Sequence, residues 1–404
     1  MASTRLSYIA VAPEDERNEF KYPNTFLDFK EWDGFNLEKE IIDNNPVRWV
    51  RENSITAEDW QANISGDLTV DLDINQAGYW LWSVFGDYSV EPEGEKYIHT
   101  FETGNKVNSL SVEMMKGNPN DEDSTVVRVA GVLVDTMDIT ADTELVQMQL
   151  NLMGTTYFEM TVATGWDTVD GSLETGENKE IKLEDRTDLL KENDTIIIKE
   201  RDGDRKEEVK ITDIKDSHTI EVDEITESFE LDKVPQIFLK PRTPNYDWTP
   251  KPFSFFHANI YSGKDESEVD TKENEDKQDN VENYTFTYEN QLEERYWSLQ
   301  QTPTSIQEQG VNVAMDFERV FSDKTEIERY QRLTEKYQRT KFQRPWNEDY
   351  IQIETPKITT TEYSLPSWTD DIYVESITAR IQYDMDKWYA IKVTMKNDVE
   401  DYSS

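Results

Sequence analysis

The chain holds three histidines, His99, His218 and His257, and no cysteine. The histidines lie in separate segments, and none has a neighbour at ligand spacing. A zinc site needs cysteines or a pair such as His-x-x-x-His, so structural or surface roles are expected for all three, and no metal. No serine sits in a Gly-x-Ser-x-Gly turn, and there is no Gly-x-x-x-x-Gly-Lys loop. Paired carboxylates are the remaining catalytic resource, since glycosidases need only two. With 85 acidic residues, some pair falls at a suitable distance whatever the function, so carboxylates do not single out an enzyme. The acidic turns Asn118-Pro-Asn-Asp-Glu-Asp-Ser and Asp202-Gly-Asp-Arg do not match a twelve-residue calcium loop and read as solvated turns. The expectation is a protein that is not an enzyme, with no catalytic residue and no cofactor.

The charge is the stronger signal. The 404 residues carry 85 acids against 42 bases, a formal charge of −43. Ordinary nucleic-acid binding needs Lys and Arg against phosphate, so that class is excluded. A surface that lets nucleic acid pass without sticking is not. Self-repulsion at this charge is relieved by salt. A saline habitat and acids gathered on one functional face both explain it, and the sequence leaves both open. The 11 Trp, 19 Tyr and 16 Phe separate the chain from disordered acidic sequences. No signal peptide is expected from the N-terminal residues, and no window approaches the roughly 20 apolar residues of a membrane span.

The elements that must carry these acids are strands. Leu68, Val70, Leu72 and Ile74 alternate with Asp67, Thr69, Asp71 and Asp73, a half-buried strand by its period of two. Val146, Met148, Leu150 and Leu152 alternate with Gln147, Gln149 and Asn151. Val313, Met315 and Phe317 alternate with Asn312, Ala314, Asp316 and Glu318. Residues 377–385 place Thr378, Arg380, Gln382 and Asp384 on one side. Further strands are expected at 97–103, 110–114, 125–138 and 388–395. Such polar sides suit an ordinary wet sheet face or the lining of a channel shared among subunits.

Between the first two alternating strands lies Asn75-Gln-Ala-Gly-Tyr-Trp-Leu-Trp-Ser-Val-Phe-Gly86. It reads as a short helix with a glycine C-cap. It is apolar on every side and so needs cover on most of them. Residues 1–63, broken by Pro13, Pro23 and Pro46, read as an N-terminal arm with Leu27-Asp-Phe-Lys-Glu-Trp as an edge strand. From 168 to 242 Trp and Tyr are absent, and five short strands recur about a dozen residues apart. That spacing predicts a small inserted β-barrel or sandwich. The charged run 264–282 reads as a loop and 326–344 as a helix. A faint echo, Tyr97-Ile-His-Thr-Phe-Glu-Thr against Asn283-Tyr-Thr-Phe-Thr-Tyr-Glu, suggests two related halves around the insertion.

In the order of these motifs the chain resembles the tail tube proteins of long-tailed phages and archaeal viruses. The resemblance runs from Pro46-Val-Arg-Trp-Val-Arg-Glu through Ser65-Gly-Asp-Leu-Thr-Val-Asp-Leu and the aromatic helix. It continues through Pro252-Phe-Ser-Phe-Phe-His-Ala-Asn-Ile-Tyr and Tyr284-Thr-Phe-Thr-Tyr-Glu-Asn-Gln-Leu-Glu-Glu to the strand after Gly310. It implies a mainly β fold: a tail-tube-type β-sandwich or barrel over 64–167 and 243–404 with a packed α-helix, and 168–242 as a decoration domain outside. It implies six copies per ring, rings stacked into the tail tube of a virion assembled in the host cytoplasm, and viral DNA passing through the lumen without specific binding. The partners implied are the chain itself, a tape measure protein, a tail terminator and baseplate or tail-tip proteins, with no membrane.

On that resemblance the lumen candidates are Asp67, Thr69, Asp71, Asp73, Gln147, Gln149, Asn151, Asn312, Asp316 and Glu318. Tyr79, Trp80, Leu81, Trp82, Val84 and Phe85 are expected to pack at a subunit interface. The alternative is a secreted or surface β-sandwich binding module of carbohydrate or adhesin type.

Overall fold

The computed structural model describes residues 7–44, 56–117, 124–142, 144–161, 166–168, 173–183, 190–200, 205–229, 235–246, 248–275, 279, 281–297, 303–320, 325–345, 347–369 and 372–403. The fold is mainly β. The first part of the chain forms β1 (Tyr8–Pro13), β2 (Thr25–Leu27), β3 (Glu31–Asn44), β4 (Thr56–Asp71), α1 (Ala77–Phe85), β5 (Gly86–Glu93), β6 (Lys96–Thr103), β7 (Leu110–Lys116), β8 (Thr125–Ala141), β9 (Gln147–Gly154) and β10 (Thr156–Thr161). A separate sheet follows, built from β11 (Trp166–Asp167), β12 (Gly176–Lys182), β13 (Thr195–Glu200), β14 (Lys206–Ile214), β15 (Thr219–Ile225) and β16 (Pro235–Leu239). The rest forms β17 (Ala258–Gly263), α2 (Glu266–Asn274), β18 (Val281–Glu289), β19 (Leu292–Arg295), β20 (Ser305–Glu308), β21 (Asn312–Val320), α3 (Thr325–Arg332), β22 (Lys336–Gln343), β23 (Tyr350–Thr369), β24 (Ile372–Ile381) and β25 (Lys392–Asn397). No helix among the described residues is long and apolar enough to cross a membrane.

Two layers enclose the main core. The inner layer runs β3-β4-β9-β8-β18-β21-β24-β23, antiparallel at every step. The outer layer has two patches, β2-β1-β7-β8-β10 and β17-β22-β23-β25-β6-β5. The long strands β8 and β23 belong to both layers, because sheets turn corners on strands that bend. β8 bends at Gly131, whose φ is +65° and whose Cβ, if present, would lie 2.2 Å from both Asn18 Oδ1 and Thr155 Oγ1. Only glycine fits there. At the matching corner of β23, Pro356 falls between the residues paired with β25 and those paired with β24.

The strand pairings repeat. The series β1, β3, β4, α1, β7, β8, β9, β10 and the series β17, β18, β21, α3, β22, β23, β24, β25 follow one another in the same order. They also pair in the same way: β1–β7 as β17–β22, β3–β4 as β18–β21, β4–β9 as β21–β24, β8–β9 as β23–β24, β7–β8 as β22–β23, and β8–β10 as β23–β25. Each half gives four strands to the inner layer, and β8 against β18 joins them. The expected equivalence of 97–103 with the strand at 283–289 is corrected: β18 corresponds to β3, and β5–β6 is an addition to the first half.

The separate sheet has the order β11-β16-β13-β14-β15-β12, and a bridge from Thr168 to Leu183 brings its two ends together. It covers the outward face of β1, β7 and β8. Along these strands Ile9, Val11, Val112, Met114, Val127 and Val129 enter the main core, while Tyr8, Ala10, Met115, Val126 and Ala130 enter a second core shared with the separate sheet. A buried ionic cluster fastens the junction. Arg128 donates to Glu113 at 2.7 Å and to both Asp194 oxygens at 2.6 and 2.8 Å. Arg242 and the Tyr8 hydroxyl donate to Glu113 at 2.8 and 2.7 Å.

Removing one partner of a buried ion pair strands the other charge. Asp194→Ala should therefore cost about 3–5 kcal/mol, read as a lower denaturation midpoint, with Asp194→Asn milder. Burial alone would raise the Glu113 pKa, but Arg128 and Arg242 hold it below the ordinary carboxylate value. Its stabilisation is therefore complete above the ordinary carboxylate range and is lost as pH falls through the depressed value. Stability should drop more steeply in acid for the native chain than for a Glu113→Gln variant. Parallel acid curves would contradict this.

Three sequence expectations change. Residues 8–13 are not part of a peripheral arm: β1 is fully buried and paired on both sides. The motif at 46–52 lies outside the described residues. The acidic run 264–282 contains α2, capped by Asp265, which accepts from the Glu268 N–H at 3.0 Å; Asp270 and Glu273 are held by Arg339 at 2.8 and 2.7 Å. The helix expected over 326–344 ends at Arg332, Leu333 takes a positive φ of +51°, and 336–343 is the central strand β22. Lys, Gln and Arg favour helix locally, but Lys336 pairs with buried Glu326 and Arg339 with Glu354. Tertiary ion pairs override the local preference.

Candidate functional site

The inner layer is greasy on one face and polar on the other. Because side chains alternate along each strand, the pairing register lines polar residues up across the sheet. One row reads Asp67, Asn151, Thr136 on β4, β9 and β8, then Glu289 and Asn312 on β18 and β21. The next reads Thr69, Gln149, Asp138, Thr287, Ala314, Arg380. A third reads Asp71, Gln147, Thr140, Thr285, Asp316, Thr378, Glu362. Asn283, Glu318, Ser376 and Ser364 begin a fourth. Residues of the opposite parity, among them Leu68, Leu150, Met137, Tyr288, Phe286, Met315 and Ala379, are buried in the main core.

Cross-strand hydrogen bonds tie the rows. Asn151 donates to Asp67 at 2.8 Å, Thr287 to Asp138 at 2.6 Å, Thr378 to Asp316 at 2.5 Å, and Asn312 to Glu289 at 3.2 Å. Among the described residues of these rows, Asp67, Asp71, Asp138, Glu289, Asp316, Glu318 and Glu362 face one cation, Arg380. At the rim Lys30 stands 3.9 Å from Asp71. Partial burial raises the Asp71 carboxyl above its ordinary value, with Lys30 opposing and nearby Asp73 adding to it. A shallow recess of about 160 Å³ lies between Asp67, Thr136, Asp138, Gln149 and Asn151. The surface offers phosphate repulsion and a film of hydrogen-bonding groups, and little to grip.

Of the ten lumen candidates, Asp67, Thr69, Asp71, Gln147, Gln149, Asn151, Asn312, Asp316 and Glu318 lie on this one face, exposed or half-exposed. Asp73 does not, and that expectation is corrected. It is buried, accepts from the N–H groups of Asn75 and Gln76 at 2.8 and 3.3 Å, and also accepts from the Lys251 N–H. The alternation stops at Leu72 because the chain turns there into α1, and Asp73 satisfies the amides of that turn.

Behind the polar sheet sits α1, with all nine residues buried. Its cover comes from its own chain. It packs on β8, β5 and β6, and the Tyr402 ring meets Tyr79 edge-on at 4.9 Å. Tyr402 occupies the place where a Cβ on Gly78 would be. Asn108 donates to the Trp82 and Gly86 carbonyls at 3.0 and 2.9 Å, and Asn290 to the Val84 carbonyl at 3.0 Å. Gly86, at φ +79°, caps the helix by donating to the Trp82 carbonyl. The expectation that Tyr79, Trp80, Leu81, Trp82, Val84 and Phe85 pack at a subunit interface is corrected: the C-terminal segment and neighbouring strands already enclose them.

The histidines lie apart from the polar face. His99 is buried against Asn397, the Val399 carbonyl and Tyr88, and burial lowers its pKa. His257 accepts from the Ser254 N–H at 3.0 Å, and His218 lies beside Ser217. Among the described residues no three His, Cys, Asp or Glu side chains converge to hold a metal ion.

The face also contains residues that the candidate set omits: Thr136, Asp138 and Thr140 on β8, and Asn283, Thr285, Thr287 and Glu289 on β18. Both signals are in the sequence. Thr136, Asp138 and Thr140 alternate with Met137, Ile139 and Ala141, but only after the apolar run 129–134 has masked the period. No family model and no curated protein matches this chain.

Proposed function

We propose that this chain is a structural protein of a virus tail, a tail tube protein whose copies close into rings and whose stacked rings form the conduit for the viral genome. The observation that carries the reading is the continuous polar, acid-dominated face across seven antiparallel strands, β4 through β23, backed by one apolar core. A solvent-facing sheet of a monomer needs no such excess of acids, seven against the single Arg380 in the named rows. A DNA conduit does, because each lysine or arginine in the wall is a point where phosphate sticks and counterions leave. The separate sheet covers the opposite side of the sandwich and so falls on the outside of the tube. The partners of this reading are further copies of the chain, the tape measure protein, and the terminator and tip proteins at the tube ends.

Like-charged subunits associate better when screened. The purified chain should form rings or tubes in negative stain as salt rises toward molar concentration, and fewer at low salt. Monodisperse monomers across the whole salt range would refute the reading.

A further inference from the structure

We infer that three copies of this chain, not six, close each ring, and that the joint is a strand pair between β23 of one copy and β3 of the next. This rests on the channel reading above. Among the described residues, β3 hydrogen-bonds along one side only, to β4, and residues 359–369 of β23 along one side only, to β24. These are the two ends of the inner layer. An open strand edge invites a partner strand, and closure into a barrel removes edges altogether.

The occupant is specified by the chain itself. With eight strands alternating in direction, β3 and β23 run opposite ways. A second copy placed beside the first therefore meets it with an antiparallel joint, like every other step in the layer. The chain also contains a finished example of that joint. In the repeat, β8 corresponds to β23 and β18 to β3, and β8 pairs with β18 from Ala141–Tyr284 to Thr136–Glu289. The missing contact is the same contact made between chains.

Strand arithmetic sets the number. Strands about 4.8 Å apart and tilted by about 40° each take roughly 6 Å of circumference. Two copies give 16 strands and a backbone radius of about 16 Å, and side chains reaching about 6 Å inward leave no more than a bare duplex radius. Three copies give 24 strands and a radius of about 24 Å, which admits a duplex with its water. Six copies would give 48 strands and a radius near 48 Å, a bore far wider than its cargo. Three chains carry six of the repeated units.

The chain has no cysteine, so the joint can be trapped cleanly. Paired substitutions at exposed edge positions, Asn36→Cys or Glu38→Cys on β3 with Thr361→Cys or Glu362→Cys on β23, should cross-link under a short bis-maleimide once rings form at high salt. The ladder on a denaturing gel should stop at three chains, and native mass measurement of unlinked rings should give three. Rings of six chains, a ladder ending at two, or intact rings that none of these pairs cross-links would overturn the inference and leave the channel reading standing. Absence of rings at any salt would overturn both.

Discussion

Tubes assembled from a chain in which Asp67, Asp138 and Asp316 are all lysine will retain duplex DNA that tubes of the native chain release. The three positions come from β4, β8 and β21, and each substitution moves the local charge by two. Repeated around a ring, they cancel the net negative charge of the named rows and place cations where phosphate can be held. Non-specific binding of that kind falls at about 10⁻⁴–10⁻⁶ M near physiological salt and weakens steeply as salt rises, with a slope near −0.9 for each phosphate neutralised. The native face should show neither the binding nor the slope. The fold should survive the change: each substitution gives up one cross-strand hydrogen bond, from Asn151, Thr287 or Thr378, a net loss of about 0.5–1.5 kcal/mol apiece. The check is DNA retained on washed tubes across a salt series. Equal and negligible retention by both tubes would mean that the face does not meet the genome.

Trp80→Ala should remove about 3–5 kcal/mol, the cost of emptying a large aromatic site in a packed core. Against the 5–15 kcal/mol that holds a typical domain together, that is enough to unfold much of the population. Trp80 has no exposed surface, and its indole N–H makes no hydrogen bond among the described residues. Trp80→Phe should therefore be much milder, losing volume but stranding no partner. The loss should appear in the denaturation of the isolated chain at low salt, before any ring forms, because β8, β5, β6 and Tyr402 already enclose the helix. A Trp80→Ala chain that denatures like the native one and fails only in assembly would return α1 to a subunit interface.

Much of this was legible in the sequence, and the reason is the period of two. Wherever one strand face meets a core and the other meets water, as at 67–71, 147–151 and 312–318, alternation alone sorts the side chains. It fails where a strand changes its surroundings. β8 is buried on both faces over 126–134 and on one face only beyond Val134, so its Asp138 hides behind an apolar run. It fails again at Asp73, where the register continues on paper but the backbone has turned. The strand β22 was illegible for another reason: its Lys336 and Arg339 are neutralised by Glu326, Asp270, Glu273 and Glu354, residues as far as 69 positions away. The strands that correspond in the duplication were not legible, since the echo of 97–103 in 283–289 matches strands that are not equivalent: the repeat is written in pairing order, and the halves share few residue patterns.

The most direct test of the channel is a cross-section of assembled tubes by electron cryomicroscopy. The tube should be hollow, with strands 67–71, 147–151 and 312–318 lining the bore, their Asp, Gln and Asn side chains in solvent, and the 166–239 sheet projecting outward. The same strands on the outer surface, or buried in contacts between neighbouring copies, would contradict it.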